Sequence, residues 1–214
     1  MRAILCNFST ICRRIAVAPN NGIKLAPLFL LLVISLSLLL SGCASNIITL
    51  SYPSGQHIAS SDTRKAIFVC IVDFTDKRED SAIGSRQNGE KLLPRTPVER
   101  WLATGLALEL QRSGFTTMMA ETEREAIAMN ADYIVTGDSE EVCLTETSIT
   151  RYTGIIRASI SLLDGKGTHI TRNAYNSVYS KTVLPIYSAP QTLLDDALAE
   201  MLQPAVALLT KTMQ

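Results

Sequence analysis

A chain of 214 residues, 47% hydrophobic and 19% charged, is too apolar for a disordered protein and has the length of one domain. Its 20 basic and 20 acidic residues are unevenly placed: residues 1–42 hold Arg2, Arg13, Arg14 and Lys24 and no acid, leaving 16 bases against 20 acids, net −4, in the body. A mildly acidic body argues against nucleic acid as the partner, because phosphate binding needs clustered positive charge.

The basic stretch to Lys24 runs into an apolar stretch, Leu28 to Leu40, and then into Ser41-Gly42-Cys43. That is the order of a secretory signal, and the apolar core is shorter than the roughly 20 residues a spanning helix needs. Leu40-Ser41-Gly42-Cys43 resembles the lipobox of bacterial lipoproteins. The resemblance implies cleavage between Gly42 and Cys43, removal of residues 1–42, and acylation of Cys43 with diacylglycerol and further fatty acid such as palmitate. With Ala44 rather than Asp after the cysteine, it further implies an anchor on the periplasmic face of the outer membrane.

Residues 43–64, rich in Ser, Asn, Pro and Gly, read as the lipidated N-terminus and a flexible tether reaching on the order of 25 Å. The globular domain is expected over 65–214. Lys65 to Phe74 is apolar without alternation, as in a strand covered on both faces. Thr75 to Pro94 is polar and long for a connection, so it reads as a functional or disordered loop. Thr96-Pro97-Val98-Glu99 has the form of a capping box with Pro at the first helical position, and Gly114 should close that helix. A short strand to Ala120 precedes a second capping box, Thr122 to Glu125, and a helix to Asn130. Asp132 to Gly137 and Val142 to Thr145 read as strand, with Gly137 a bend or bulge. From Gly154 the period is two: Ile156, Ala158, Ile160 and Leu162 face a core, while Arg157, Ser159 and Ser161 face water. Asp164 to Gly167 is the hairpin turn, and the chain returns to Lys181. A last helix spans 190–212 with Leu193, Leu194, Ala197, Leu198, Met201 and Leu202 on one stripe, kinked or interrupted at Pro204. The order βαβαβββα predicts an α/β (α+β) domain, a mixed sheet of about five strands with helices packed on it.

Three features together resemble the YajG-type family of small envelope lipoproteins. They are Val72-Asp73 running into a charged loop with Ile83-Gly84, a Pro-capped helix ending in Gly114-Phe115, and Ala131 to Gly137 followed by a strand ending at Leu162 to Gly165. The resemblance covers most of 65–210 and implies the α/β layout and a role beside other envelope proteins.

Candidate chemistry is sparse. His57 falls in the tether and His169 beside the turn, so neither is placed as a base held by a third group. Asp73, Asp76, Glu79 and Asp80 lack a calcium-loop spacing and are interleaved with Lys77 and Arg78, so no metal site and no cofactor are expected. Cys70 and Cys143 lack metal or CxxC spacing; they form one disulfide or sit as separate buried thiols, the second being favoured. Trp101 lies on the first long helix's apolar stripe, as a core residue. Tyr175, Tyr179 and Tyr187 suit either a partner surface or a half-buried sheet. The expected function is a non-catalytic outer-membrane lipoprotein, membrane-bound through Cys43. It would dock an envelope protein (an assembly, transport or secretion component) through the loop bearing Asp73, Asp76, Arg78, Asp80 and Arg86 and through the sheet edge. The alternative is a periplasmic small-ligand or glycan binder, or a weak hydrolase, with a pocket under that loop.

Overall fold

The computed structural model describes residues 46–53, 67–148, 150–182 and 189–214. Cys43, His57 and Tyr187, with the expectations attached to them, lie outside the described residues. The apolar run of 65–74 yields strand β2 (Phe68–Val72), completely buried from Val69 to Ile71. It lies between β6 (Thr116–Ala120) and β7 (Tyr133–Ser148), parallel to both. β7, β8 (Arg151–Asp164) and β9 (His169–Thr182) continue as an antiparallel meander, giving the order β6-β2-β7-β8-β9. The expected mixed sheet in an α/β domain is present, with more strands than predicted.

The surplus comes from the expected loop. β3 (Thr75–Asp76) and β4 (Gly84–Ser85) both pair in parallel with β7, continuing the edge where β2 stops. β5 (Leu93–Pro94) pairs with β1 (Ile47–Ile48) in a separate two-stranded sheet. The segment 75–94 is therefore fixed structure. Ile83 is completely buried, Leu144 N donates to the Ile83 carbonyl at 2.7 Å, and Leu92 N donates to Gly84 O at 2.9 Å.

The tether also needs correction. Leu93 N donates to Asn46 O and Arg95 N to Ile48 O. Leu50 and Tyr52 are buried in the main core. Apolar side chains at 48, 50 and 52 alternate with exposed 47, 49 and 51, a period of two that a Ser- and Pro-rich composition disguised. The domain thus begins near Asn46.

Two layers cover the sheet. On one face lie α1 (Val98–Arg112) and α3 (Ala189–Met213), burying Trp101, Leu102, Leu106 and Leu110 against Leu193, Leu194, Leu198 and Leu202. On the other, α2 (Glu123–Ala128) covers Cys70, Val72, Ile134 and Leu163. Thr122 Oγ1 accepts from Glu125 N at 3.2 Å, as the second capping box predicts. The first is not made: Pro97 is the N-cap, without a side-chain cap, and Thr96 Oγ1 donates to Leu50 O, holding the N-terminal segment instead. Gly114, at φ 93°, closes α1 as expected.

Three further expectations are revised. β7 is continuous through Gly137, its register shifts against β8 falling between Ser139 and Glu141 and between Glu146 and Ser148. Gly137 is required for space: a Cβ there would lie 2.6 Å from the Phe74 ring and from Ser159 O. Ser159 and Ser161 are buried rather than wet, because β8 is an inner strand and Arg172 reaches across it to Ser159 Oγ at 3.0 Å. Pro204 does not interrupt α3; it sits on the exposed side, where water can satisfy the carbonyl one turn back.

Candidate functional site

β7 runs past the end of β2, and the short strands β3 and β4 fill the vacated edge, so the chain between them arches over the β7–β8 surface. Under that arch is a cleft of about 610 Å³. Lys77, Arg78, Lys91 and Arg157 line it together with Glu79, Asp80, Glu140 and Glu141, and Cys143 contributes a thiol. Its charges balance, and Arg157 Nη2 lies 3.3 Å from Glu141 Oε2.

Most charges of the expected interaction loop are committed to one another. Arg78 Nε and Nη2 donate to the two Asp76 oxygens at 2.9 and 2.8 Å, and the Arg78 backbone N donates to Asp76 Oδ1 at 3.1 Å. This fork holds the Asp76 carboxyl below its ordinary range. The Arg78 side chain is only 6% exposed, so it staples the arch rather than presenting charge. Asp80 caps the turn, accepting from Ala82 N at 3.0 Å and from Lys91 Nζ at 2.7 Å, and these bonds lower its pKa. Arg86 Nε donates to Asn46 Oδ1 at 2.8 Å. Asp73 points away from the arch, its Oδ2 lying 3.5 Å from Arg100 Nη1 of α1. Of the five residues expected to form the interaction surface, Arg78 and Asp80 line the cleft, Asp76 positions Arg78, Arg86 belongs to the turn beside β1, and Asp73 faces the helix.

Cys143 and Cys70 are free thiols. Cys70 is buried, which raises its pKa, and it contacts Met129 Sδ at 3.7 Å. Cys143 is half-buried, and its register partner on β8 is Ile155, itself opposite Val178 on β9. No histidine lines the cleft; His169 stands exposed at the start of β9. Among the described residues no three His, Cys, Asp or Glu side chains are grouped to hold a metal.

The second feature is the sheet border. β9 has 14 residues and pairs only with β8 among the described residues, leaving its other edge without a strand. Val178 on its open face is 60% exposed. Tyr175 and Tyr179 turn to the opposite face and pack on the core as half-buried sheet residues, with burial raising the Tyr175 pKa. The alternation in β8 puts Arg157 on the wet face, and the structure shows that it lines the cleft there; Glu140 and Glu141 carried no sequence signal of their own.

No family model and no curated protein matches this chain. A solved Xanthomonas campestris protein of the DUF330 family is similar, with a TM-score of 0.54 and 12% identity over 76% of this chain and 93% of that one. The two share a fold. More distant are a PelC dodecamer from Paraburkholderia phytofirmans (TM-score 0.45, 15% identity, 72% and 93% covered) and a lipoprotein from Neisseria meningitidis (0.39, 11%, 64% and 96%). No described helix is long and apolar enough to cross a membrane.

Beneath the sheet, the α1–α3 contact contains an ionisable flaw. Asp195 on α3 is half-buried, and burial is the main cause that pushes its pKa up to about 6. The Trp101 indole N–H opposes the shift, and neighbouring Asp196 adds to it. Neither Asp195 Oδ1 nor Trp101 Nε1 reaches hydrogen-bond geometry. A folded-state pKa above the unfolded value of about 3.9 means the native state binds the proton more tightly. The stabilising proton is fully present below pH 4 and lost as pH rises through about 6. Asp195→Asn should therefore stabilise the domain at pH 8 by on the order of 1 kcal/mol, after discounting for solvent screening, with the gain vanishing near pH 4. Thermal melts of both proteins at the two pH values check this.

Proposed function

We propose that the chain is a small, non-catalytic envelope lipoprotein, anchored through Cys43 after removal of residues 1–42, that docks a partner protein on the β9 side of its sheet. The outer membrane is the proposed site, from Ala44, and the YajG-type assignment rests on the three sequence features. The observation that carries the docking role is the 14-residue β9 strand, unpaired along one edge among the described residues and bearing an exposed Val178. An open edge of that length invites addition of a strand from another chain. The cleft supports a second reading, a polar small ligand or glycan fragment, since about 610 Å³ is within the range of ligand sites.

A photo-crosslinking residue at Val178, in cells bearing the acylated protein, should capture one discrete envelope protein, and a probe at Arg124 on α2 should not. Val178→Lys in a chain crosslinked from Ser180 should reduce that capture about five-fold with the melting transition unchanged. Equal labelling from Val178 and Arg124 would remove the docking reading. An unmodified Cys43 in the intact mass would remove the lipoprotein reading.

A further inference from the structure

The proposed anchor and the first fixed residue of the domain are three residues apart. Three extended residues span at most about 11 Å, and the headgroup layer beyond the hydrocarbon is itself about 5–8 Å thick. Asn46 is held firmly: its carbonyl accepts from Leu93 N at 2.8 Å, its side-chain oxygen from Arg86 Nε at 2.8 Å, and its amide donates to Glu90 Oε2 at 3.2 Å. The domain therefore has no slack at this point.

What surrounds Asn46 suits an interface. Ile47 and Leu93 are register partners in the β1–β5 pair, and both point outward, 51% and 44% exposed. Strand alternation puts Thr49 and Arg95 on the same outward side, and both are exposed. Two neighbouring aliphatic side chains beside a guanidinium make an amphipathic patch of the kind that rests in a headgroup layer.

We infer that the β1–β5 sheet is a membrane-docking face, on which Ile47 and Leu93 enter the bilayer interface and Arg95 meets lipid phosphate. The inference rests on the proposed lipid anchor at Cys43. It also orients the molecule. β4 pairs with β7 at Leu144–Thr145, whereas the β8–β9 turn adjoins the opposite end of β7 at Tyr133. At about 3.3 Å per residue the turn stands roughly 40 Å from the docked end. The cleft and the β9 edge lie between the two.

The test uses full-length protein purified from membranes in detergent and reconstituted into phosphatidylethanolamine–phosphatidylglycerol vesicles containing a nitroxide-bearing lipid. A fluorophore is placed at Leu93→Cys or, distally, at Lys166→Cys, both in a Cys143→Ser background, where Cys70 stays buried and unlabelled. Ile47→Cys replaces the first site should Leu93→Cys fail to melt like the parent. Quenching at position 93 is expected to exceed that at 166 by at least about three-fold. With Cys43 shown by mass to be acylated, equal quenching at the two sites would overturn the docking face and leave the anchor standing. An unacylated Cys43 would overturn both.

Discussion

A chain lacking residues 45–53 is expected to melt about 10 °C below one that keeps them, or to lose a cooperative transition altogether. Leu50 and Tyr52 are buried against α1, where Gly105 leaves room for the Tyr52 ring. Uncovering two such side chains costs about 3–6 kcal/mol, and a kcal/mol shifts the midpoint of a domain this size by about 2–4 °C. Polar bonds add to the loss. Tyr52 donates to Glu109 Oε1 at 2.7 Å, Arg112 Nη2 donates to Pro53 O at 2.7 Å, and Gln191 Nε2 donates to Ser51 Oγ. Leu50→Ala alone should cost about 3 kcal/mol. Thermal melts of the shortened chain and of the chain that keeps the segment read the first effect, and a denaturant melt of the Leu50→Ala variant reads the second. Equal midpoints for the two chains would show that the segment rests on the domain without supporting it.

The second large effect is expected at Gly84. Its φ of 144° is open to glycine alone, and an added Cβ would sit 1.8 Å from Leu144 O, between two backbone strands that cannot move apart. Gly84→Ala should cost about 4 kcal/mol, combining strain with lost pairing of β4. Gly89→Ala is the control. Its φ of 84° is also positive, but nothing lies within 4 Å of the added carbon. That variant should cost about 1 kcal/mol. If the two substitutions cost the same, the arch does not pack on β7 as described. Shortening residues 79–90 would likewise destabilise the domain, since the cut takes the completely buried Ile83 from the core.

These two cases show where the sequence was readable and where it was not. The helical stripe from Val98 to Leu110 and the alternation from Ile156 to Leu162 survive in the structure because each is a long periodic signal that only one kind of packing satisfies. Trp101 was placed in the core on that basis. β3, β4 and β5 are two residues each, below any period; β3 and β4 exist because β7 offers an edge formed some sixty positions later, and β5 because β1 lies beside it. The Ser159 and Ser161 reading failed for a related reason: alternation tells which residues share a face, while a side chain from another strand decides whether that face is wet. In the site, the charge density of residues 76–80 is legible in the sequence, while its internal pairing is not: the fork of Arg78 on Asp76 and the Lys91–Asp80 bond depend on how the chain turns back on itself.

The parallel attachment of β2 to β7 governs the order in which the chain can be completed. Phe68 N bonds to Asp132 Oδ2 across 64 residues, and Val69 to Ile71 find their β7 partners at Tyr133 to Val135. During synthesis or export from the N-terminus, the apolar Phe68–Val72 stretch emerges long before that partner does. β6 can shield one edge earlier, at Thr116 to Ala120, but the other remains open. The β7–β8–β9 meander is local and can form by itself, so it is positioned to serve as the template onto which the waiting N-terminal half is recruited. Until it appears, five consecutive β-favouring residues without a charge are exposed to pairing with other chains. The interval between the emergence of residue 72 and residue 135 is therefore the period in which this strand lacks its β7 partner.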